Sequence, residues 1–107
     1  GELAMGTGTL SNATMNIAIG YKAMTDATTG DFNVIIGHLS GKDITTGNNN
    51  IIIGRETMQN STGGENCIAI GSGSLGGINH TSNDGSIAIG HSALGTKNLA
   101  TGNQQFS

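Results

Sequence analysis

The sequence predicts an all-β fold: a β-solenoid or β-roll, or a triple β-helix, with about six repeats of 14–19 residues in an elongated homotrimer. Three observations predict this class. A five-residue motif, Asn-x-x-x-Gly or a close variant, recurs along the chain. The repeats differ in length at one place only, the connection that leads from each unit to the next motif. The x positions of the motif are apolar, in a chain in which 19 of the 107 residues are glycine. The chain contains no proline. Stacked coils would give such a chain the core that a single repeat lacks.

The glycine that closes each motif, here called the anchor glycine, marks the period. From Gly20 to Gly90 the anchors are spaced by 17, 17, 17 and 19 residues, and residues 103–107 are the stub of a seventh unit. We expect the anchors at corners that need a positive φ or a close approach of two backbones. The predicted anchors are Gly6, Gly20, Gly37, Gly54, Gly71 and Gly90.

The three residues before each anchor have the pattern of a strand. The first and third are large and apolar, as in Ile17 and Ile19, and these two point to the same face. The middle residue points to the other face and is also apolar, as in Ala18 and Ile35. We expect this second apolar row to pack against other chains, and a three-fold fibre is the simplest closed arrangement that buries it.

A polar residue opens most of the motifs. Asn16, Asn33 and Asn50 would superpose from coil to coil as a ladder of side-chain amides. Cys67 and Ser86 take this position in the next two units and interrupt the ladder. We interpret Cys67 as a small buried residue in an asparagine position, since a reactive thiol needs an electropositive, accessible setting.

Residues 2–107 are predicted to form a single repetitive β-fibre domain from a longer protein, with Gly1 as the remnant of a tag. Four residues after most anchors stands a second apolar residue, and Gly41 is the exception. The connection back to the next motif is longest at residues 76–85 and contains turn-forming residues. The regular rows are therefore assigned to the scaffold and these connections to projecting loops.

Composition excludes several partners. The formal net charge is −3 and charged residues make up 10% of the chain, so there is no basic face for nucleic acid. No apolar run approaches the roughly 20 residues that span a bilayer, so membrane insertion is not expected. Cysteine and histidine are not spaced for structural zinc, and no cofactor is predicted.

The unit Asn-Ile-Ala-Ile-Gly-Tyr-Lys-Ala-Met at residues 16–24 is followed by Thr-Thr-Gly-x-x-Asn. It resembles the Asn-Thr-Ala-Ile-Gly-Tyr-x-Ala-Leu repeats of bacteriophage tail fibres and related proteins that end in an intramolecular chaperone. It is also similar to the head repeats of trimeric autotransporter adhesins. The resemblance implies an elongated homotrimer, on a virion tail fibre or on the bacterial outer surface, that displays a host-recognition surface. A purely structural shaft is the alternative.

Recognition of a host cell-surface glycan or protein is predicted at positions whose chemistry changes from unit to unit. A regular scaffold repeats its residues because every coil poses the same packing problem, whereas a binding surface needs variation on a rigid support. The candidates follow the anchors or lie in the longest loop: Tyr21, His38, Arg55, His91, Ile78, Asn79, His80, Asn83 and Asp84.

The sequence supports other activities less well. Asp26 and Asp43 occupy equivalent places in successive units, as a glycosidase pair would, but the chain has only three aromatic residues with which to bind sugar rings, so no enzyme is predicted. His38 and His91 should lie three coils apart, too far to share a metal. Ice binding by the recurrent threonines is not favoured, since they precede glycine in loops of changing length: Thr29, Thr46, Thr62 and Thr101.

Overall fold

The computed structural model describes residues 2–6, 12–76 and 84–95 and the backbone of 105–106. The chain is an all-β solenoid in which one short strand from each coil joins a single parallel sheet, in chain order. Four turns separate the first strand from the fifth. The strands are β1 (Ile17–Ile19), β2 (Val34–Ile36), β3 (Ile51–Ile53), β4 (Ile68–Ile70), β5 (Ile87–Ile89) and β6 (Gln105–Phe106).

Strand register aligns equivalent residues of successive coils in straight columns. Ile17 pairs with Val34, which pairs with Ile51, at a constant offset of 17 residues. Between β4 and β5 the offset is 19, as Ile68 pairs with Ile87, so the two extra residues leave the register of the strands unchanged. Each column therefore runs parallel to the solenoid axis.

Backbone hydrogen bonds join the coils outside the sheet as well. In the turn after the anchors, the Met24 amide donates to the Ser40 carbonyl over 3.0 Å. On the far side of the coil, the Thr45 amide donates to the Thr62 carbonyl over 2.9 Å. Since three-residue strands alone satisfy few backbone groups, this pairing around the coil explains how short strands suffice.

The middle column of the strands is the core of the single chain, which corrects the prediction that this row packs against other chains. Ile35, Ile52, Ala69 and Ala88 are fully buried inside their own solenoid. Residues from the turns complete the core, because the coil folds back over this face of the sheet. They include Ala23, Met24, Ala27, Ile44, Met58, Leu75 and Leu94.

Five anchor glycines have the positive φ that the sequence predicts, between 123° and 140°. They also stack so closely that a side chain would collide with the next coil. A Cβ on Gly20 would lie 2.6 Å from the Gly37 carbonyl oxygen, and one on Gly71 would lie 2.5 Å from that of Gly90. Both reasons for glycine therefore apply at the same corner.

Gly41 stands where other coils have methionine or leucine, yet the core is not hollow there. A Cβ at Gly41 would lie 2.9 Å from the Cδ1 atom of Ile35 and 3.1 Å from that of Ile44. The larger side chains of these two isoleucines occupy the space that Met24 fills in the preceding coil. The departure from the repeat is therefore compensated within its own coil.

Gly6 is not an anchor, contrary to the sequence prediction. Residues 2–6 form a turn. The Lys22 amide donates to the Glu2 carbonyl, just as the Leu39 amide of the next coil donates to the Tyr21 carbonyl. Glu2 therefore corresponds to Tyr21, the residue after an anchor, and Gly6 lies four positions farther on. Apolar residues at alternate positions suggested a strand here, but they belong to the turn.

The last strand is shifted by one residue from the predicted register. Gln105 pairs with Ile87 and Phe106 with Ala88, an offset of 18 where the sequence suggested 17. The predicted register would have put Gln105 in the middle column. The observed register places Phe106 in that column instead.

Candidate functional site

The flanking positions of the strands form a continuous apolar face on the outside of the sheet. Ile17 and Ile19 keep 51% and 54% of their surface exposed, and Ile51 and Ile89 keep 40% and 42%. The remaining members are partly buried by their neighbours along the column. This outer apolar face consists of Ile17, Ile19, Val34, Ile36, Ile51, Ile53, Ile68, Ile70, Ile87 and Ile89.

Two columns border the outer apolar face. The leading column lies two residues before each strand and comprises Met15, Phe32, Asn49, Asn66 and Gly85. The trailing column lies two residues after each strand and comprises Tyr21, His38, Arg55, Ser72 and His91. Both columns are mostly exposed, with large apolar side chains at the first two strands: Met15 is 73% and Phe32 is 53% exposed.

Aromatic side chains stack along the trailing column. The rings of Tyr21 and His38 lie 5.3 Å apart between centroids, with 18° between their planes. The Lys22 ammonium group lies 5.3 Å from the centre of the Tyr21 ring, within the range of a cation–π contact. Tyr21 nevertheless keeps 38% of its surface exposed. The structure thus brings together two predicted recognition residues and adds Lys22.

Beyond the aromatic pair, the next residue of the trailing column is charged. The Arg55 guanidinium donates to the neighbouring Glu56 carboxylate over 3.1 Å, while its side chain remains 65% exposed. His91 is exposed at the fifth strand, three strand spacings from His38. Asp84 accepts a 3.0 Å hydrogen bond from the Glu65 amide. Four other predicted recognition residues lie outside the described part of the chain: Ile78, Asn79, His80 and Asn83.

The predicted asparagine ladder is present inside the solenoid. The Asn16 Oδ1 atom accepts hydrogen bonds from the amide nitrogen of Asn33, over 2.9 Å, and from its Nδ2 atom, over 3.0 Å. Asn33 and Asn50 repeat the arrangement, and each Nδ2 also donates to a carbonyl of its neighbouring coil. The backbone amide of Cys67 donates to the Asn50 Oδ1 atom, but the Cys67 side chain has no amide group with which to continue the ladder.

A second ladder on the surface was missed by the sequence analysis. The Asp31 Oδ1 atom accepts from the Thr14 amide over 2.6 Å, and Asn48 Oδ1 accepts from the Asp31 amide over 2.7 Å. Glu65 then accepts from the Asn48 side chain over 3.1 Å. The available signal was an oxygen-bearing side chain six residues before each anchor, but changing residue types hid the pattern.

Cys67 is a buried thiol, as predicted. Its side chain has no exposed surface, and desolvation raises its pKa from the ordinary 9.0 to about 11. The thiol therefore stays protonated at neutral pH and lies away from solvent. This environment is the opposite of the one that activates a nucleophilic cysteine.

Charged side chains pair locally on the surface. Lys42 contacts the Asp43 carboxylate, and this hydrogen bond raises the pKa of Lys42. In the part of the chain that the structure describes, no three His, Cys, Asp or Glu side chains gather in a group that could hold a metal ion. Among the described residues, the outer apolar face and its two bordering columns are exposed features that lie side by side.

Within residues 2–6, 12–76, 84–95 and 105–106, no helix has the length and hydropathy needed to cross a bilayer. Comparison of the chain with protein-family models, with curated proteins and with solved structures found no match.

Proposed function

We propose that this chain is a segment of a homotrimeric virion tail fibre that mediates or supports attachment to the host cell surface. The sequence resemblance described above favours this reading. A trimeric autotransporter head on the bacterial outer surface is the nearest alternative, and a purely structural shaft is the other. All three share a rod of stacked coils, and the outer apolar face supports the trimer common to them.

The outer apolar face is the observation that carries the proposal. Ten β-branched side chains form one strip without a polar interruption in its two columns. Three residues of strand give a width of about 10 Å, and the four strand spacings from β1 to β5 give a height of about 19 Å. A strip of this kind in water attracts apolar surface, and parallel sheets are usually covered on both faces.

Three copies cover the strip better than two. The strip alone is a plane on the order of 200 Å², well below the roughly 800 Å² that each partner buries in a stable interface, so a stable assembly needs more contact than the strip provides. Around a three-fold axis each copy contacts two neighbours, and the bordering columns are included in the contact. The interior of the trimer would then be a dry prism of isoleucine and valine side chains.

Attachment is assigned to the exposed residues beside this prism. Tyr21, His38, Arg55 and His91 differ in chemistry but share one column of a rigid stack. They offer a ring face, hydrogen-bond donors and positive charge, which are groups that recognise glycans and protein surfaces. The loop at residues 78–84 supplies further variation in sequence. The remainder of the fibre would join the segment at its two ends.

Sedimentation equilibrium tests the assembly. The native chain should sediment as a trimer at micromolar concentration, whereas Ile70→Asp should be monomeric with an unchanged far-UV spectrum, since this half-buried side chain lies on the outer face. Ala69→Asp should instead unfold the coil, because it buries a carboxylate in the core. A native chain that sediments as a stable folded monomer would contradict the trimer.

Binding of labelled protein to host cells tests attachment. Combined substitution of Tyr21, Arg55 and residues 78–84 should abolish binding, while the variant still sediments as a trimer because the outer apolar face is unchanged. Unimpaired binding would make this segment a shaft. The sequence that follows Ser107 in the full-length protein would distinguish a phage fibre from an adhesin. An intramolecular chaperone favours the phage fibre, and a coiled-coil stalk with a membrane anchor favours the adhesin.

A further inference from the structure

The leading and trailing columns change character at the same level of the solenoid. At β1 and β2 the leading column offers Met15 and Phe32, and the trailing column offers Tyr21 and His38. From β3 onward both columns become polar or small. The paired residues at each strand are Met15 with Tyr21, Phe32 with His38, Asn49 with Arg55, Asn66 with Ser72, and Gly85 with His91.

These paired residues lie at opposite ends of one strand within a chain. The three-residue strand between them spans about 10 Å, and the residues at its two ends add to this separation. Contact inside one chain therefore does not account for their matched chemistry. The exposure of Met15 and Phe32, at 73% and 53%, likewise leaves two large apolar side chains without cover from their own coil.

Three-fold symmetry would bring the two columns together between chains. A cyclic interface joins one edge of a protein to the other edge of the next copy. Because strands run across the solenoid axis and columns run along it, the leading column of one copy would face the trailing column of its neighbour. Copies at the same axial height place residues of the same strand level side by side.

The resulting contacts are chemically matched at the first four levels. Met15 would meet a tyrosine ring, as thioethers commonly do, and Phe32 would meet the imidazole of His38. Asn49 offers an amide oxygen to the Arg55 guanidinium, and Asn66 offers its amide to the Ser72 hydroxyl. A displacement by two levels would instead put Met15 against Arg55 when it runs in one direction, and Asn49 against Tyr21 when it runs in the other.

We infer that the trailing column of one copy and the leading column of the next pair level by level, fixing the axial register of the trimer. This inference rests on the proposed homotrimer. The candidate host-binding surface is consequently composite: Tyr21, His38 and Arg55 of one copy are bordered by Met15, Phe32 and Asn49 of its neighbour. A monomer would carry only half of that surface.

Disulfide trapping tests the pairing. In a Cys67→Ser background, Asn49→Cys with Arg55→Cys places one thiol in each column at the β3 level. The control, Asn49→Cys with His91→Cys, offsets the thiols by two strand spacings, about 9.6 Å along the axis, which exceeds the roughly 7 Å limit for Cα atoms joined by a disulfide. All these residues except Cys67 are exposed, and both variants are checked for folding by far-UV spectroscopy.

Mild oxidation should convert the matched variant into a covalent trimer on a non-reducing gel, since each chain bonds to both neighbours. The offset variant should remain mostly uncrosslinked. Sedimentation of both variants under reducing conditions separates the two hypotheses. A noncovalent trimer that crosslinks equally in both variants, or in neither, overturns the level-by-level pairing and leaves the trimer intact. A folded monomer in both overturns the proposed assembly, and the pairing with it.

Discussion

At the scale of single residues, the backbone conformation of the coil was only partly predictable. Glycine before a turn indicated the positive φ at the anchors. Three other positions of the coil are also left-handed, and most of them hold a residue other than glycine, such as Phe32 at 58°, Lys22 at 53° and Met24 at 49°. Such residues cost roughly 1–2 kcal/mol each in isolation, so propensity argues against them. They persist because the coils above and below dictate the path of the backbone.

Substitution of Gly54 measures the constraint at an anchor. A Cβ there would lie 2.6 Å from the Thr57 hydroxyl oxygen and 2.8 Å from the Gly71 carbonyl carbon, at a φ of 138°. Gly54→Val should therefore lower the unfolding free energy by about 3 kcal/mol or more, through strain and overpacking. Urea denaturation followed by circular dichroism gives the value.

Gly63→Ser is the matched control. Its nearest neighbour would be the Thr46 hydroxyl at 3.4 Å, and its φ is not in the left-handed range. The expected change is within about 0.5 kcal/mol. Equal losses for both variants would show that the anchors are not the constrained corners of the coil.

At the scale of the coil, the strands and the amide ladder were predictable because they repeat identical residues. The assignment of the strand faces was wrong, although the alternation was right. Both faces are apolar, so periodicity alone could not identify the inner one. The deciding factor is the turn after each anchor, which returns apolar residues such as Met58 and Leu75 to the middle column.

The two side-chain ladders should differ in strength. Asn50 is fully buried, and its side chain bonds to Asn33, Gly64 and the Cys67 amide. Asn50→Ala should lower the unfolding free energy by about 2–4 kcal/mol, since several buried polar groups lose a partner at once. Thermal and urea denaturation of the variant measure this loss.

Asn48→Ala provides the comparison on the surface. Asn48 bonds to Asp31 and Glu65 in the outer ladder, where water can replace the lost side chain. Its loss should cost about 1 kcal/mol or less. A larger effect at Asn48 than at Asn50 would reverse the assignment of the inner ladder as the stabilising one.

At the scale of the whole molecule, the chain behaves as a stack in which each coil contacts its neighbours. The general architecture followed from the period, since equal spacing places equal residues in one column. The ends followed less well, because residues 2–6 contain alternating apolar residues that do not form a strand, and residues 105–106 contain only one apolar residue. Register at the ends is defined by the backbone hydrogen bonds and strand pairing that these residues make with the neighbouring coil, and no sequence pattern indicates those pairs.

Removal of a whole coil should therefore be tolerated far better than a change in register. Deleting residues 38–54 joins Gly37 to Arg55 and removes 17 residues, so β2 would pair with β4 as it now pairs with β3. The Cys67 amide, which donates to Asn50, would donate to the equivalent oxygen of Asn33. In a stack of nearest neighbours, the deletion removes the stability contributed by one coil and one interface between coils. The shortened chain should therefore still unfold cooperatively, at a lower melting temperature.

Deleting residues 38–55, one residue more, joins Gly37 to Glu56 and shifts every following position in the turn. The residue left in the trailing column would be glutamate, and the turn that carries Met58 to the core would be one residue short. This variant should lose the cooperative transition, or melt far below the 17-residue deletion, when both are followed by circular dichroism. Similar melting curves for the two deletions would mean that column register does not govern the stability of the stack.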